Sequence, residues 1–229
     1  MNNGVANRNK QIKRFYDYEG KLATTPIIEF LAEHGRSISG VLLDVGCGNK
    51  PYVSLFPSVR SYVGLDMSSA CADVHADGAC LPIRSGSIDT VVCNQVIEHV
   101  CEPVALLAEI SRVLTKDGIL LLSAPQMSRL HGEPHDYYRF TKWGLKYLLE
   151  KAGLEIVVLT THGGFFRAFG SHINFFLIER LGRRRWLLKP LRLGLTAPLN
   201  ICASTLDKLI YWEKDTLGYN VLARKAVRE

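Results

Sequence analysis

Three stretches of this sequence have residue types and spacing suited to chemistry. The first is Asp44-Val45-Gly46-Cys47-Gly48, a glycine-bearing turn that follows the apolar run Val41-Leu42-Leu43. Glycines at such a turn let the backbone approach a ligand with no side chain in between. Pro51 stands where a dinucleotide fingerprint has its third glycine, which argues against NAD and its pyrophosphate. The second feature is Asp66, an acid ending another apolar run about 20 residues after the glycine turn. That is the placement of a carboxylate that holds two ribose hydroxyls. Alone it would read as a solvated strand-end aspartate; the joint spacing favours the ribose. The third is His131-Gly132-Glu133-Pro134-His135-Asp136-Tyr137-Tyr138-Arg139-Phe140-Thr141. A histidine beside an acid can take a proton near neutral pH, so His135, and after it His131, are candidate bases. The same stretch also reads as a structured lid, its Tyr and Arg side chains bonding backbone ahead of a helix opened by Thr141.

The elements that must position these residues show in the periodicity. Residues 10–35 carry Leu22, Ile27, Ile28 and Leu31 on one helical face. Residues 41–45 form a short apolar run of the kind buried on both faces of a parallel sheet. Further strands are predicted at 61–66, weakly around Val74, and at 89–94. A helix is expected from about Glu102 to Leu114, where Pro103 suits the first turn. Leu106, Leu107, Ile110, Val113 and Leu114 are its apolar stripe. A strand at 119–123 follows Gly118, then a helix between Thr141 and Gly153, a strand at 154–160 and a last one at 218–226. Strand and helix alternate from 41 to 161, which predicts a parallel sheet with helices on both faces. Ligands of such sheets bind beyond the carboxyl ends of the strands, and all three chemical features lie at or after a predicted strand end.

Composition narrows the class. The chain has 229 residues, 47% apolar and 22% charged, which predicts one decorated soluble domain. No apolar stretch follows a basic start, so no signal peptide is expected. No uninterrupted apolar run is long enough to span a membrane; the nearest, 186–203, contains Lys189, Pro190, Arg192 and Pro198. The six cysteines form no C-x-x-C pair and no zinc-like spacing with histidine, so no metal site and a reduced, cytoplasmic setting are expected. Net charge is +6 but uneven: residues 1–161 carry 16 Lys/Arg against 17 Asp/Glu, and residues 162–229 carry 12 against 5. The positive excess lies in the last third, which points to an anionic partner surface.

A longer set of motifs occurs in order: Leu43-Asp44-Val45-Gly46-Cys47-Gly48, Gly64-Leu65-Asp66, Ala76-Asp77-Gly78-Ala79-Cys80-Leu81-Pro82, Ser87-Ile88-Asp89-Thr90-Val91, Glu98-His99-Val100, and Arg112-Val113-Leu114 leading to Gly118. Together they resemble the class I methyltransferases of type 11, which include quinone-biosynthesis enzymes. The resemblance spans about residues 40–125. It implies an α/β, Rossmann-like doubly wound sheet of seven strands, mostly parallel with the last strand antiparallel, plus a helical insertion before that strand. It also implies S-adenosylmethionine as cofactor. On it, Gly46, Cys47 and Gly48 would meet the cofactor's methionine portion, and Asp44 would orient the loop and face the amino end. Asp66, with Met67 beside it, would hold the ribose; Asp77 and Gly78 would take the adenine; Asn94 and Gln95 would contact the methionine end. Carboxylates near a sulfonium cation are physically sensible.

The acceptor is partly constrained. The Asn/Asp-Pro-Pro-Tyr motif of amide- and adenine-nitrogen methyltransferases is absent after residue 94, and no Pro-Cys pair exists for cytosine-C5 chemistry. An oxygen nucleophile needs a base, which the 131–141 loop offers. Residues 162–215 read as a helical insertion between an N-terminal helical segment (1–39) with its cofactor core (40–161) and the last strand (216–229). Phe165, Phe166, Phe169, Ile173, Phe176, Leu177 and Leu181 fall at helical spacing, then come Arg183-Arg184-Arg185-Trp186 and an amphipathic stretch through Leu199, Cys202, Leu206, Leu209, Ile210 and Trp212. This insertion reads as a cap over the acceptor or a dimer surface, and also as a peripheral anchor on an anionic membrane. The expected activity is O-methylation of a small or lipid-linked acceptor, a glycan or isoprenoid intermediate. A nucleic-acid methyltransferase and a non-catalytic cofactor-binding partner subunit are the alternatives; no RNA-binding module is visible.

Overall fold

A computed structural model describes residues 21–181 and 189–226. Seven strands form one sheet in the order β3-β2-β1-β4-β5-β7-β6. They are β1 (Gly40–Val45), β2 (Val59–Asp66), β3 (Val74–His75), β4 (Ile88–Asn94), β5 (Leu114–Pro125), β6 (Leu154–Thr161) and β7 (Gly218–Lys225). β7 runs antiparallel to both β5 and β6, and every other pair is parallel, as expected. β5 begins earlier than its apolar run suggests, because Leu114 pairs with Ile88 before a register shift brings Thr90 opposite Ile119.

The helices are α1 (Lys21–Gly35), α2 (Pro103–Val113), α3 (Lys142–Lys151), α4 (Phe165–Leu181) and α5 (Lys189–Leu209). Pro103 sits in the first turn of α2, and the Thr141 hydroxyl caps α3 by accepting from the Gly144 amide at 3.1 Å. The predicted stripe Leu106, Leu107, Ile110 and Val113 is fully buried on one face of the sheet, with Leu145 and Leu149 of α3 beside it. Ile27, Phe30 and Leu31 of α1 cover the other face against Leu42, Val92 and Leu121. Each such side chain contributes roughly 1.5–3 kcal/mol by leaving water, so the strand ends sit on a stiff two-sided core.

The insertion forms two helices, and their apolar side chains do not make the seam between them. On α5 the buried positions are Thr196, Asn200, Ala203 and Asp207, while Ile201, Cys202, Leu209 and Ile210 face solvent. On α4 the buried positions are Ala168, Gly170, Ser171 and Asn174, while Phe165, Phe169 and Phe176 are exposed. The α4–α5 seam is therefore small and polar. Asn174 donates to Asn200, and Asp207 accepts from the amides of Gly164 (2.8 Å) and Arg167 (3.2 Å). Specific hydrogen bonds set this packing, which an apolar-stripe rule does not see. The Arg183-Arg184-Arg185-Trp186 cluster and the first half of the 10–35 segment lie outside the described residues.

His162, just past β6, ties this region to the sheet. Its Nε2 donates to the Asn220 Oδ1 at 2.7 Å, and the Asn220 amide donates to the Pro26 carbonyl of α1 at 3.2 Å. Full burial pushes the imidazole down to about 4, against the opposing Asn220 bond. The unfolded chain takes up a proton near the ordinary value of 6.5 that the folded chain refuses until about 4, so stability is lost as pH falls through that window. Urea unfolding at pH 7 and 4.5 is expected to show a drop of about 1–3 kcal/mol that is attenuated in His162→Gln.

Candidate active site

The chain leaves β1 toward β2 on one side and returns through β4 on the other, so the carboxyl ends of β1 and β4 flank the switch point. Val45 pairs with Cys93 there, and the turn 46–48 lies beside Asn94 and Gln95. Gly46 has φ +70, and a Cβ on it would lie 2.3 Å from Val96 Cγ2, so only glycine fits. Gly48 has φ +48, with open space where a Cβ would stand. The amides of Gly46 and Cys47 donate to the Leu65 carbonyl at 2.8 and 3.0 Å. The turn therefore offers a ligand close approach and carbonyl oxygens, its amides being already spent on β2.

Asp44 is buried beneath this turn and accepts from the Tyr62 hydroxyl. Burial pushes its carboxyl up to about 7, only partly offset by Tyr62 and Lys50. The folded chain thus holds a proton that the unfolded chain releases near 3.8, and stability falls as pH rises from there to about 7. Asp44→Asn is expected to raise the melting temperature of the ligand-free protein by a few degrees at pH 8, measured by calorimetry. The same change should weaken binding of a cationic ligand above the loop.

Asp66 is a hub. Its Oδ2 accepts from the Gly48 amide at 3.0 Å, and its Oδ1 accepts from Ser68 and Ser69 amides, both at 2.9 Å. Burial opposes its ionisation, but these amides outweigh it and keep the carboxyl below its usual range. Three neighbours that spacing alone did not single out complete the frame. The Ser69 hydroxyl donates to the Gly48 carbonyl at 2.6 Å, Asp73 accepts from the Gly64 amide at 2.7 Å, and Lys50 pairs with Asp73 at 2.6 Å. Met67 is largely exposed beside Asp66. Asp77 lies exposed after β3, its Oδ1 accepting from the Ala79 amide at 2.9 Å. Gly78 packs close to Leu106, where a Cβ would lie 2.9 Å from Leu106 Cδ1. At the end of β4, the buried Asn94 Nδ2 has no hydrogen-bond partner, and Gln95 adopts φ +53, a left-handed conformation rare outside glycine. An orphaned amide beside a strained residue is a mark of a ligand site.

The 131–141 loop folds over this edge. The Tyr137 and Tyr138 amides donate to the Glu98 carbonyl, in a 3-10 turn (Ile97–His99) just after Gln95. Arg139 grips Asp136 with two bonds of 2.7 and 2.8 Å and donates to the carbonyls of Ser128 and Arg129. That guanidinium holds the Asp136 carboxyl well below the usual range. These bonds are of the kind expected of a structured lid, with Tyr and Arg tied to backbone ahead of the Thr141 cap. His131 lines a cavity of about 320 Å³ together with Gln95. Glu98 raises the His131 imidazole above its ordinary value, against the opposing effect of burial. His135 is exposed, with Nδ1 2.9 Å from the Tyr137 hydroxyl, and is not among the residues lining that cavity.

A doubly wound sheet with a glycine turn, a ribose-type acid and an orphaned amide at its switch point defines a nucleoside-cofactor-binding α/β domain. Residues 43–122 match the type 11 methyltransferase domain family. An S-adenosylmethionine-dependent methyltransferase of Mycolicibacterium smegmatis, so described with the qualifier probable, is 31% identical over 133 residues, 50% of this chain and 52% of that protein. The chain spans about half the length of the curated relatives it matches. The (4+2)-cyclase SpnF shares the fold with a TM-score of 0.59 at 21% identity, over 89% of this chain and 81% of that one. Geranyl diphosphate C-methyltransferase from Streptomyces coelicolor, solved with Mg2+, a geranyl diphosphate analogue and S-adenosylhomocysteine, gives 0.58 at 13% identity, over 88% and 76%. Over residues 43–122 the chain is similar to the class I S-adenosylmethionine-dependent methyltransferases of type 11. The residues present fit that cofactor: the glycine-only approach at Gly46, the open face at Gly48, the acids Asp44, Asp66 and Asp77 toward a cation, and the unpartnered Asn94 amide.

Proposed function

We propose that this chain moves the methyl group of S-adenosylmethionine to an oxygen of a small or lipid-linked acceptor, of the glycan or isoprenoid kind. The observation that carries this reading is the cavity beyond Gln95, walled by Ile27, Pro125, Phe175 and Leu217, with Arg129, His131, His162 and His172 among its polar groups. A mostly apolar cavity with few polar groups suits an acceptor with an apolar body and a polar end. Methyl transfer is an in-line displacement, so aligning nucleophile, carbon and sulfur accounts for much of the acceleration. Gln95 belongs to both the cofactor edge and the cavity wall, which would place the two reactants side by side. A hydroxyl must also lose its proton as its bond to carbon forms. Three imidazoles line the cavity, and of them His131 is the one flanked by carboxylates, Glu98 and Asp136, which suits it to help that proton leave.

The lipid-linked version draws support from an exposed run at the end of α5. Leu209, Ile210, Tyr211 and Trp212 face solvent between Lys208 and Lys214. Glu213 and Asp215 balance the two lysines, so it is the exposed aromatic and aliphatic side chains that would suit the interface of a bilayer. Among the described residues no helix is long and apolar enough to cross a membrane.

Incubating the purified chain with methyl-labelled S-adenosylmethionine and fractionated cell extract tests the proposal. Label in the organic-soluble or membrane fraction is the expected result. Label in a water-soluble small-molecule fraction would keep the reaction and remove the membrane contact. Label in nucleic acid would overturn the acceptor class. Tight cofactor binding with no label in any fraction would make the chain a non-catalytic cofactor-binding subunit.

A further inference from the structure

Glu98 is fully buried, and neither of its carboxylate oxygens has a hydrogen-bond partner. Desolvating a carboxylate without compensation costs several kcal/mol, so its surroundings must supply positive charge. Two imidazoles face it. The Nε2 of His131 lies 3.7 Å and the Nε2 of His99 3.9 Å from the same oxygen, Oε1. Both distances are too long for hydrogen bonds. The other nitrogen of each ring points at a backbone carbonyl: His99 Nδ1 at that of His135, and His131 Nδ1 at that of Arg129, 3.1 Å away. A carbonyl can only accept, so Nδ1 carries the hydrogen in both rings, and in each neutral imidazole Nε2 presents its lone pair. Three electron-pair donors thus face one another, all within 4.8 Å.

From this arrangement we propose that Glu98, His99 and His131 bind a divalent transition-metal ion. Two imidazoles and one carboxylate are a ligand set typical of zinc and its neighbours in the first transition row. Backbone carbonyls on the far ring nitrogens are the partners that orient metal-bound histidines. Bonds of about 2.0–2.1 Å would put tetrahedral ligand atoms roughly 3.3 Å apart, so closure asks for about an ångström of side-chain movement. The parts are already tied together. The 3-10 turn supplies Glu98 and His99, the loop supplies His131, and the Tyr137 and Tyr138 amides fasten loop to turn at the Glu98 carbonyl. Gly132, at φ +68, lets the loop pass against the His99 ring, where a Cβ would stand 3.0 Å from Cε1.

What the ion would do rests on the methyl-transfer reading above. His131 lines the acceptor cavity, so an acceptor hydroxyl entering it comes within reach of the ion. Coordination would lower the hydroxyl's pKa, so that its proton could leave to solvent. The oxygen's electron pair then forms the bond to the methyl carbon, and the carbon–sulfur pair leaves with S-adenosylhomocysteine. The cluster then activates a hydroxyl acceptor without His131 itself accepting the proton.

The test uses the full chain, stripped with a chelator and dialysed, then titrated with Zn2+ by calorimetry and with Co2+ by visible absorption. One equivalent should bind at micromolar affinity or tighter. His131→Ala and Glu98→Gln should each weaken it at least a hundredfold. Cys71, Cys80, Cys101 and Cys202 are exposed and could take zinc, so the cobalt spectrum must lack a thiolate-to-metal band. Glu98→Gln also controls for folding. Its metal-free melting temperature should stay within a few degrees of the parent chain's, and the rise that Zn2+ gives the parent chain should be abolished. Absence of saturable binding, or affinity indifferent to both substitutions, overturns the proposal. Metal binding is read here without any acceptor, so its failure is distinguishable from a failure of methyl transfer.

Discussion

Asp66→Ala is expected to weaken S-adenosylmethionine binding at least tenfold, a loss of about 1.4 kcal/mol. Two consequences of one carboxylate add to this. It would hold the cofactor's ribose, and it accepts three backbone amides that fix the Gly48 turn. Hydrogen bonds to a charged group are worth roughly 1.5–3 kcal/mol each, so the prediction is a conservative one. Calorimetric titration with the cofactor checks it, alongside a melting curve to show that the sheet is intact. Affinity unchanged within twofold would remove the ribose assignment and leave Asp66 as a loop anchor.

The second large effect belongs to the loop. Arg139→Lys is expected to lower turnover at least tenfold while cofactor affinity stays within twofold. Lysine keeps the charge but cannot make the two-pronged grip on Asp136 while also reaching the carbonyls of Ser128 and Arg129. Without that grip, His131 and the cavity wall lose their placement relative to Gln95. Misplacement of about an ångström can cost two orders of magnitude in rate. Steady-state rates with cofactor and acceptor varied separately would show the split. Turnover equal to that of the parent chain would mean that the loop does not position the reacting groups.

The cofactor edge was largely legible in the sequence. Gly46 and Asp66 belong to short, local motifs whose spacing follows from one strand and one turn, and a strand end is a sharp event in an apolar pattern. The grouping of Glu98, His99 and His131 was not legible. Glu98 and His99 stand in a recurring motif, but their partner comes from a loop far along the chain, and no sequence spacing encodes that meeting. The α4–α5 seam was not legible for a related reason. Asn174, Asn200 and Asp207 are buried because each finds a particular partner, and pairing of that kind has no period. Asp44 stood out by its motif, but its burial under Tyr62 depends on β2 lying beside β1, a fact of sheet order.

The two walls of the proposed reaction chamber have separate origins in the chain. The cofactor edge is drawn from the ends of β1, β2 and β4. The opposite wall is drawn from α1, the post-β5 loop, α4 and the approach to β7, and meets the first at Gln95. Heredity can therefore rewrite one wall and leave the other alone. A descendant that exchanged Ile27, Phe175 or Leu217 would take a differently shaped acceptor with the same methyl donor. Kinship with relatives through the 43–122 segment alone accordingly tells more about the shared donor than about what any of them modifies.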